Sequence, residues 1–148
     1  MKEILSIAAA TVLASSFQLP SQAQSQSKKN YVGPVVYFIN GNSVFGAQGK
    51  IGIFDHVSVR PVIGFSGGST AYNASVTYDL NLSGQSPFEP FAGIGFVSLS
   101  GVRSSTITYA QVGTDIGIGE NIVLTGDLKF SLSGGSGVVA GIGTGLKF

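Results

Sequence analysis

His56 is the only histidine in the chain, and it stands directly after Asp55. A histidine beside a carboxylate is the start of a general acid–base or nucleophilic set, provided that a hydroxyl or thiol sits within reach. The chain contains no cysteine, which removes thiol catalysis, disulfides and sulfur-rich metal sites together. One histidine also cannot build a multi-histidine metal centre. Serines are plentiful, but none stands in a motif that would mark a nucleophile. His56 therefore reads as a structural or solvated side chain, and the chain as a non-enzyme without cofactor or metal. "GIGTG" (141–145) has the outline of a phosphate-binding glycine loop, yet such a loop needs a following helix, and three residues later the sequence stops. "GIG" also recurs at 93–95 and 117–119, which fits strand packing better.

The remaining polar chemistry is a sparse set of charges. Only 10% of the 148 residues are charged, and the net charge is +1, against about 25% charged residues in ordinary soluble proteins. Nothing here recommends a nucleic-acid partner. Too few charges remain to dress a water-facing surface, while 43% of the residues are hydrophobic and 22 are glycine. What matters is where the few charges fall.

Residues 1–23 have the layout of a cleavable export signal: Lys2, an apolar stretch from Ile4 to Leu19, and a small-x-small site at Ser21-Gln22-Ala23. Residues 24–30 form a polar arm. From Tyr31 onward the period is two. Tyr72, Ala74, Val76, Tyr78, Leu80 and Leu82 share one face, and Asn73, Ser75, Thr77, Asp79 and Asn81 the other. Ile122, Leu124, Leu128, Phe130 and Leu132 oppose Thr125, Asp127, Lys129 and Ser131 in the same way. Turn signals cut the chain into eight segments, at 31–39, 44–53, 57–65, 70–82, 88–99, 106–118, 122–132 and 138–148. Most have the roughly 9–11 residues of a tilted strand that crosses a bilayer. The first is the weakest, because Pro34 cannot donate to a ladder.

Eight antiparallel strands with short connections predict an all-β up-and-down barrel over 31–148. Alternation alone does not say which face points out. The charges do: Lys50, Arg60, Asp79, Glu89, Asp115, Asp127 and Lys129 all fit on the glycine-rich polar face in one register. That face suits a narrow lumen, in which the seven form a cross-barrel network. The apolar face carries aromatics near its ends. Phe38, Phe45, Phe65, Tyr72 and Phe130 lie near one rim, and Phe54, Phe88 and Phe148 near the other, as the two girdles of a transmembrane barrel would.

"FEPFAGIGFVSL" (88–99), "GENIVLTGDLKFSL" (119–132) and the closing "GIGTGLKF" resemble strands of the small bacterial outer-membrane barrels, the OmpA-like and opacity-type family. The resemblance covers most of 31–148. It implies an outer-membrane location, lipid as the surroundings and a monomer. It also implies that the last strand pairs with the first, and that Phe148, with Leu146 and Ile142 on the same lipid-facing stripe, is the insertion signal read by the barrel-assembly machinery. Both termini would be periplasmic, leaving 40–43, 66–69, 100–105 and 133–137 as short external loops with Arg103 as their only charge. Members that act on lipid A use a His and a Ser near the outer rim, and His56 falls at the opposite end. Three functions stay open: a structural, envelope-integrity barrel with a largely plugged lumen; a narrow porin-like channel for ions or small solutes; and a soluble lipocalin-like barrel binding apolar ligands.

Overall fold

Two left-handed dipeptides set the sharpest corners of the chain. Asn40 and Gly41 have φ of 49° and 81°, and Gly67 and Gly68 have 52° and 83°. Two successive positive φ values make the mirror-image turn whose twist matches that of paired strands. The computed structural model describes residues 30–80, 86–100, 105–134 and 137–148. The expected export signal (1–23), the arm as far as residue 29, Asn81, Leu82 and Arg103 lie outside them.

The described residues form eight strands: β1 (Tyr31–Ile39), β2 (Asn42–Phe54), β3 (Val57–Ser66), β4 (Ser69–Asp79), β5 (Phe88–Ser100), β6 (Ser105–Ile118), β7 (Ile122–Ser131) and β8 (Val138–Lys147). Each pairs with its sequence neighbour, and β1 pairs with β8, giving a closed barrel. All the pairings are antiparallel. Closure leaves no open sheet edge among the described strands.

Strand lengths run from 9 residues in β1 to 14 in β6, longer at the top than the sequence suggested. β4 ends at Asp79 among the described residues, whereas its alternation continues to Leu82; Asn81 and Leu82 lie outside them. The pairing keeps its register there: the Asp79 N–H donates to the His56 carbonyl (2.6 Å) and the Leu80 N–H to the Pro90 carbonyl (2.7 Å), one step on from Tyr78↔Val57 and Asp79↔Phe91. β2 and β3 slip by one residue between Gly52 and Phe54, a bulge next to the Asp55–His56 turn.

Pro34 does not exclude β1 from the sheet. It sits opposite Ala47 of β2, while the ladder to β8 runs Val32↔Leu146 and resumes at Val35↔Gly143, skipping Gly33 and Pro34. The missing donor costs a local gap in the closing seam and no more. At the far end of that seam the Phe148 N–H donates to the Asn30 carbonyl at 3.0 Å.

The two faces separate by chemistry. Val76, Ile94, Val112, Leu128 and Ile142 point out of the barrel and are exposed, Ile94 at 66%. The buried set is inside and largely polar: Gln48, Lys50, Ser58, Arg60, Ser75, Thr77, Asp79, Gln111, Asp115, Thr125, Asp127 and Lys129. This is a soluble protein turned inside out, with the apolar surface where a lipid solvent would be. A soluble carrier with its apolar face inward would have the opposite arrangement.

Candidate functional site: the barrel lumen

The lumen is built from alternate residues of all eight strands, and it changes character along its length. Near the end that carries Tyr31 and Phe148, at the termini of the described residues, β2, β3, β4, β5 and β6 bring Lys50, Arg60, Asp79, Glu89 and Asp115 together. Arg60 grips Asp115 with both terminal nitrogens, Nη1 to Oδ1 at 3.2 Å and Nη2 to Oδ2 at 2.8 Å. Its remaining donors reach Asp79 Oδ1 (3.1 Å), the Tyr31 hydroxyl (2.9 Å) and Thr77 Oγ1 (3.0 Å). A guanidinium suits this place because its planar fork can serve several acceptors at once. Its flat face lies 3.5 Å from the centre of the Phe91 ring.

Lys50 closes the other side. Its Nζ lies 2.8 Å from Glu89 Oε1, 3.1 Å from Asp115 Oδ2 and 3.4 Å from Asp79 Oδ2. Tyr31 donates its hydroxyl to Asp115 (3.1 Å), and Ser58 and Thr77 donate to Asp79. Two cations thus face three carboxylates, all bridged. The fifth member, Glu89, is the one partly open to solvent, with a side chain 29% exposed. Buried charges on this scale persist only when paired and fully hydrogen-bonded.

The other two lumen charges form a separate pair closer to the opposite end. Lys129 Nζ lies 2.5 Å from Asp127 Oδ2, and Gln111 donates to the same oxygen at 2.9 Å. Lys129 also sits over the Tyr37 ring, 4.0 Å from its centre. All seven charges expected in the lumen are therefore inside, but as two clusters rather than one. Two buried amide atoms, Gln48 Nε2 and Gln111 Oε1, have no hydrogen-bond partner among the described residues.

Inward-facing aromatics are the feature the sequence reading missed. Tyr31, Tyr37, Phe91 and Tyr109 are each at most 6% exposed and fill the barrel between the charges. Beyond Tyr37 and Tyr109, towards the end opposite the termini, the lumen widens into a cavity of about 420 Å³. Its walls include Ile39, Val44, Val62, Val97, Ile107 and Val139. The barrel is therefore filled by side chains around the charges and open over this half. The side chains here are mostly short and aliphatic, and they do not meet across the barrel axis.

The expected girdle residues all point outward. Phe38, Phe45, Phe65, Tyr72 and Phe130 are at least 39% exposed at the cavity end. Phe45 faces Phe65 across β2 and β3. Phe54, Phe88 and Phe148 are exposed at the terminal end. Tyr78, exposed on the same face, joins them there and stacks on His56 with ring centres 5.5 Å apart. His56 lies with Nδ1 3.2 Å from the Asp79 carbonyl oxygen, which places its proton on that nitrogen. Leu146 and Ile142 lie on the exposed stripe of β8 below Phe148.

No family model matches the sequence, and no curated protein matches it. Solved structures do match the fold. The crystal structure of the N-terminal β-barrel domain of Pseudomonas aeruginosa OprF is similar with a TM-score of 0.58 at 15% identity, over 82% of this chain and 98% of that one. A de novo designed transmembrane β-barrel gives a TM-score of 0.69 at 14% identity, over 83% and 98%. The outer-membrane protein OprG of P. aeruginosa gives 0.58 at 13% identity, over 80% and 94%. With its apolar belt outside and its charges inside, the chain has the fold of the small eight-stranded outer-membrane barrels.

Proposed function

We propose that the chain is an exported, monomeric, non-enzymatic protein of the bacterial outer membrane, with a structural role in the envelope and a lumen closed to ion flow. The observation that carries the reading is the bridged cluster of Lys50, Arg60, Asp79, Glu89 and Asp115, joined by five ion pairs across the lumen. A path for ions would have to break several of these contacts at once. The apolar belt supports lipid as the surrounding solvent, and residues 1–23 support export. Phe148 would be the point of contact with the assembly machinery.

Refolding the mature protein into liposomes and recording conductance in planar bilayers tests the closed lumen. The expected result is a protease-protected barrel without single-channel steps. Steady, ohmic conductance from protected protein would overturn it in favour of a narrow pore. Recovery of folded protein without detergent or lipid would overturn the membrane reading itself.

A further inference from the structure

The cavity at the end opposite the termini has a lining that a sealed barrel does not need. A transmembrane barrel requires apolar residues on its outside and polar ones within. Here both faces are apolar at the same level. Phe38 and Ile39, Val44 and Phe45, and Phe96 and Val97 are neighbours in sequence, one outside and one lining the cavity. An apolar wall around water is unfavourable until something apolar displaces the water.

The floor of the cavity sets the rest of the chemistry. Lys129 is already neutralised by Asp127, so the floor carries no net charge. The Tyr109 hydroxyl donates to Asn73 Oδ1. Asn73 still offers its two N–H donors and a second lone pair on Oδ1, so it can hold a ligand oxygen. The volume of about 420 Å³ falls in the lower part of the range of small-molecule sites, which are commonly apolar cavities with a few placed polar groups.

We infer that this half of the lumen is a binding cup for an uncharged small amphiphile: a hydrocarbon or aromatic body against Val44, Val62, Val97 and Val139, and one hydrogen-bond-accepting oxygen on Asn73. A carboxylate gains nothing from a lysine that is already paired. The inference goes beyond the envelope role. A barrel that fails to bind would still be closed to ions, and conductance reads that separately.

The test uses the protein refolded in lipid nanodiscs with isotope-labelled Ile, Leu and Val methyls, titrated with 1-octanol. The methyls of Val44, Val62 and Val97 report the cup, and those of Val76 and Ile94 report partition into the bilayer. Saturable shifts at the first group, without saturation at the second, are expected. Octanoate should bind more weakly than octanol. Asn73→Leu should weaken octanol roughly three- to tenfold and leave octane unchanged, the size of one hydrogen bond. Val97→Trp should abolish the shifts by filling the space, and Ala71→Phe serves the same purpose if that variant does not fold. Inward methyls that do not move, or that move only in step with the lipid-facing ones, would overturn the cup. Octanoate binding as tightly as octanol would overturn the assignment of an uncharged ligand.

Discussion

Tyr37 of β1 lies over Gly141 of β8, its cross-strand partner, so closely that a Cβ on the glycine would stand 2.4 Å from the tyrosine ring. Phe91 over Gly113 and Tyr109 over Gly95 repeat the relationship between β5 and β6. These three inward glycines are thus the seats of three inward aromatics. Gly141→Val should destabilise the barrel by about 1–3 kcal/mol or more, the usual cost of overpacking. Gly126→Ala is the control, since its Cβ would meet only the Gly141 carbonyl at 3.8 Å. Urea unfolding in lipid vesicles should separate the two; equal midpoints would mean that Tyr37 simply moves aside.

Arg60 and Asp115 give a second prediction. Arg60→Met leaves Asp79 and Asp115 with only Lys50 between them, and removal of one partner from a buried pair costs about 3–5 kcal/mol. Asp115→Asn should cost less, because a neutral amide still accepts hydrogen bonds. The double variant should be clearly more stable than the sum of the two losses, because the partners share one network. Strict additivity in equilibrium unfolding would show that the two residues act independently.

Ile94 tests which solvent the outer face meets. It is the most exposed of the mid-barrel apolar residues, at 66%. In water, Ile94→Arg would be neutral. At a lipid midplane it should cost about 2–4 kcal/mol. Folding yield and unfolding midpoint in vesicles should both fall, and an unchanged midpoint would place this position away from the hydrocarbon.

Much of this architecture is legible in the sequence because an eight-stranded barrel obeys one rule, alternation, interrupted at turns. Asn40-Gly41 and Gly67-Gly68 mark their corners by residue type. Lys50, Arg60, Asp79, Glu89, Asp115, Asp127 and Lys129 sort to the lumen by exclusion, since charge on the lipid side is too costly. The same rule hides what lies inside. It assigns apolar residues to lipid, so Tyr31, Tyr37, Phe91 and Tyr109 are invisible as lumen fillers unless each is paired with its glycine on the next strand. The cavity is hidden for the same reason, although adjacent apolar pairs such as Val44-Phe45 and Phe96-Val97 signal it: two neighbours in a strand cannot both face lipid. The split of the charges into two clusters depends on register, which alternation does not fix along the barrel axis.

Phe148 lies at the closing seam, its N–H on the Asn30 carbonyl and the residue 41% exposed. That single hydrogen bond lies at the end of the β1–β8 ladder, so its loss should barely change the stability of a barrel that is already folded. An effect of deletion on assembly would therefore have to act before closure, while β8 is still unpaired and its exposed stripe of Ile142, Leu146 and Phe148 is open to recognition. Deleting Phe148 should lower the amount of protein in the outer-membrane fraction several-fold while leaving export intact. The purified variant should then refold into vesicles with an unfolding midpoint close to that of the full chain. Equal membrane levels would remove the insertion role, and a collapse of the refolded midpoint would make Phe148 a structural clamp instead.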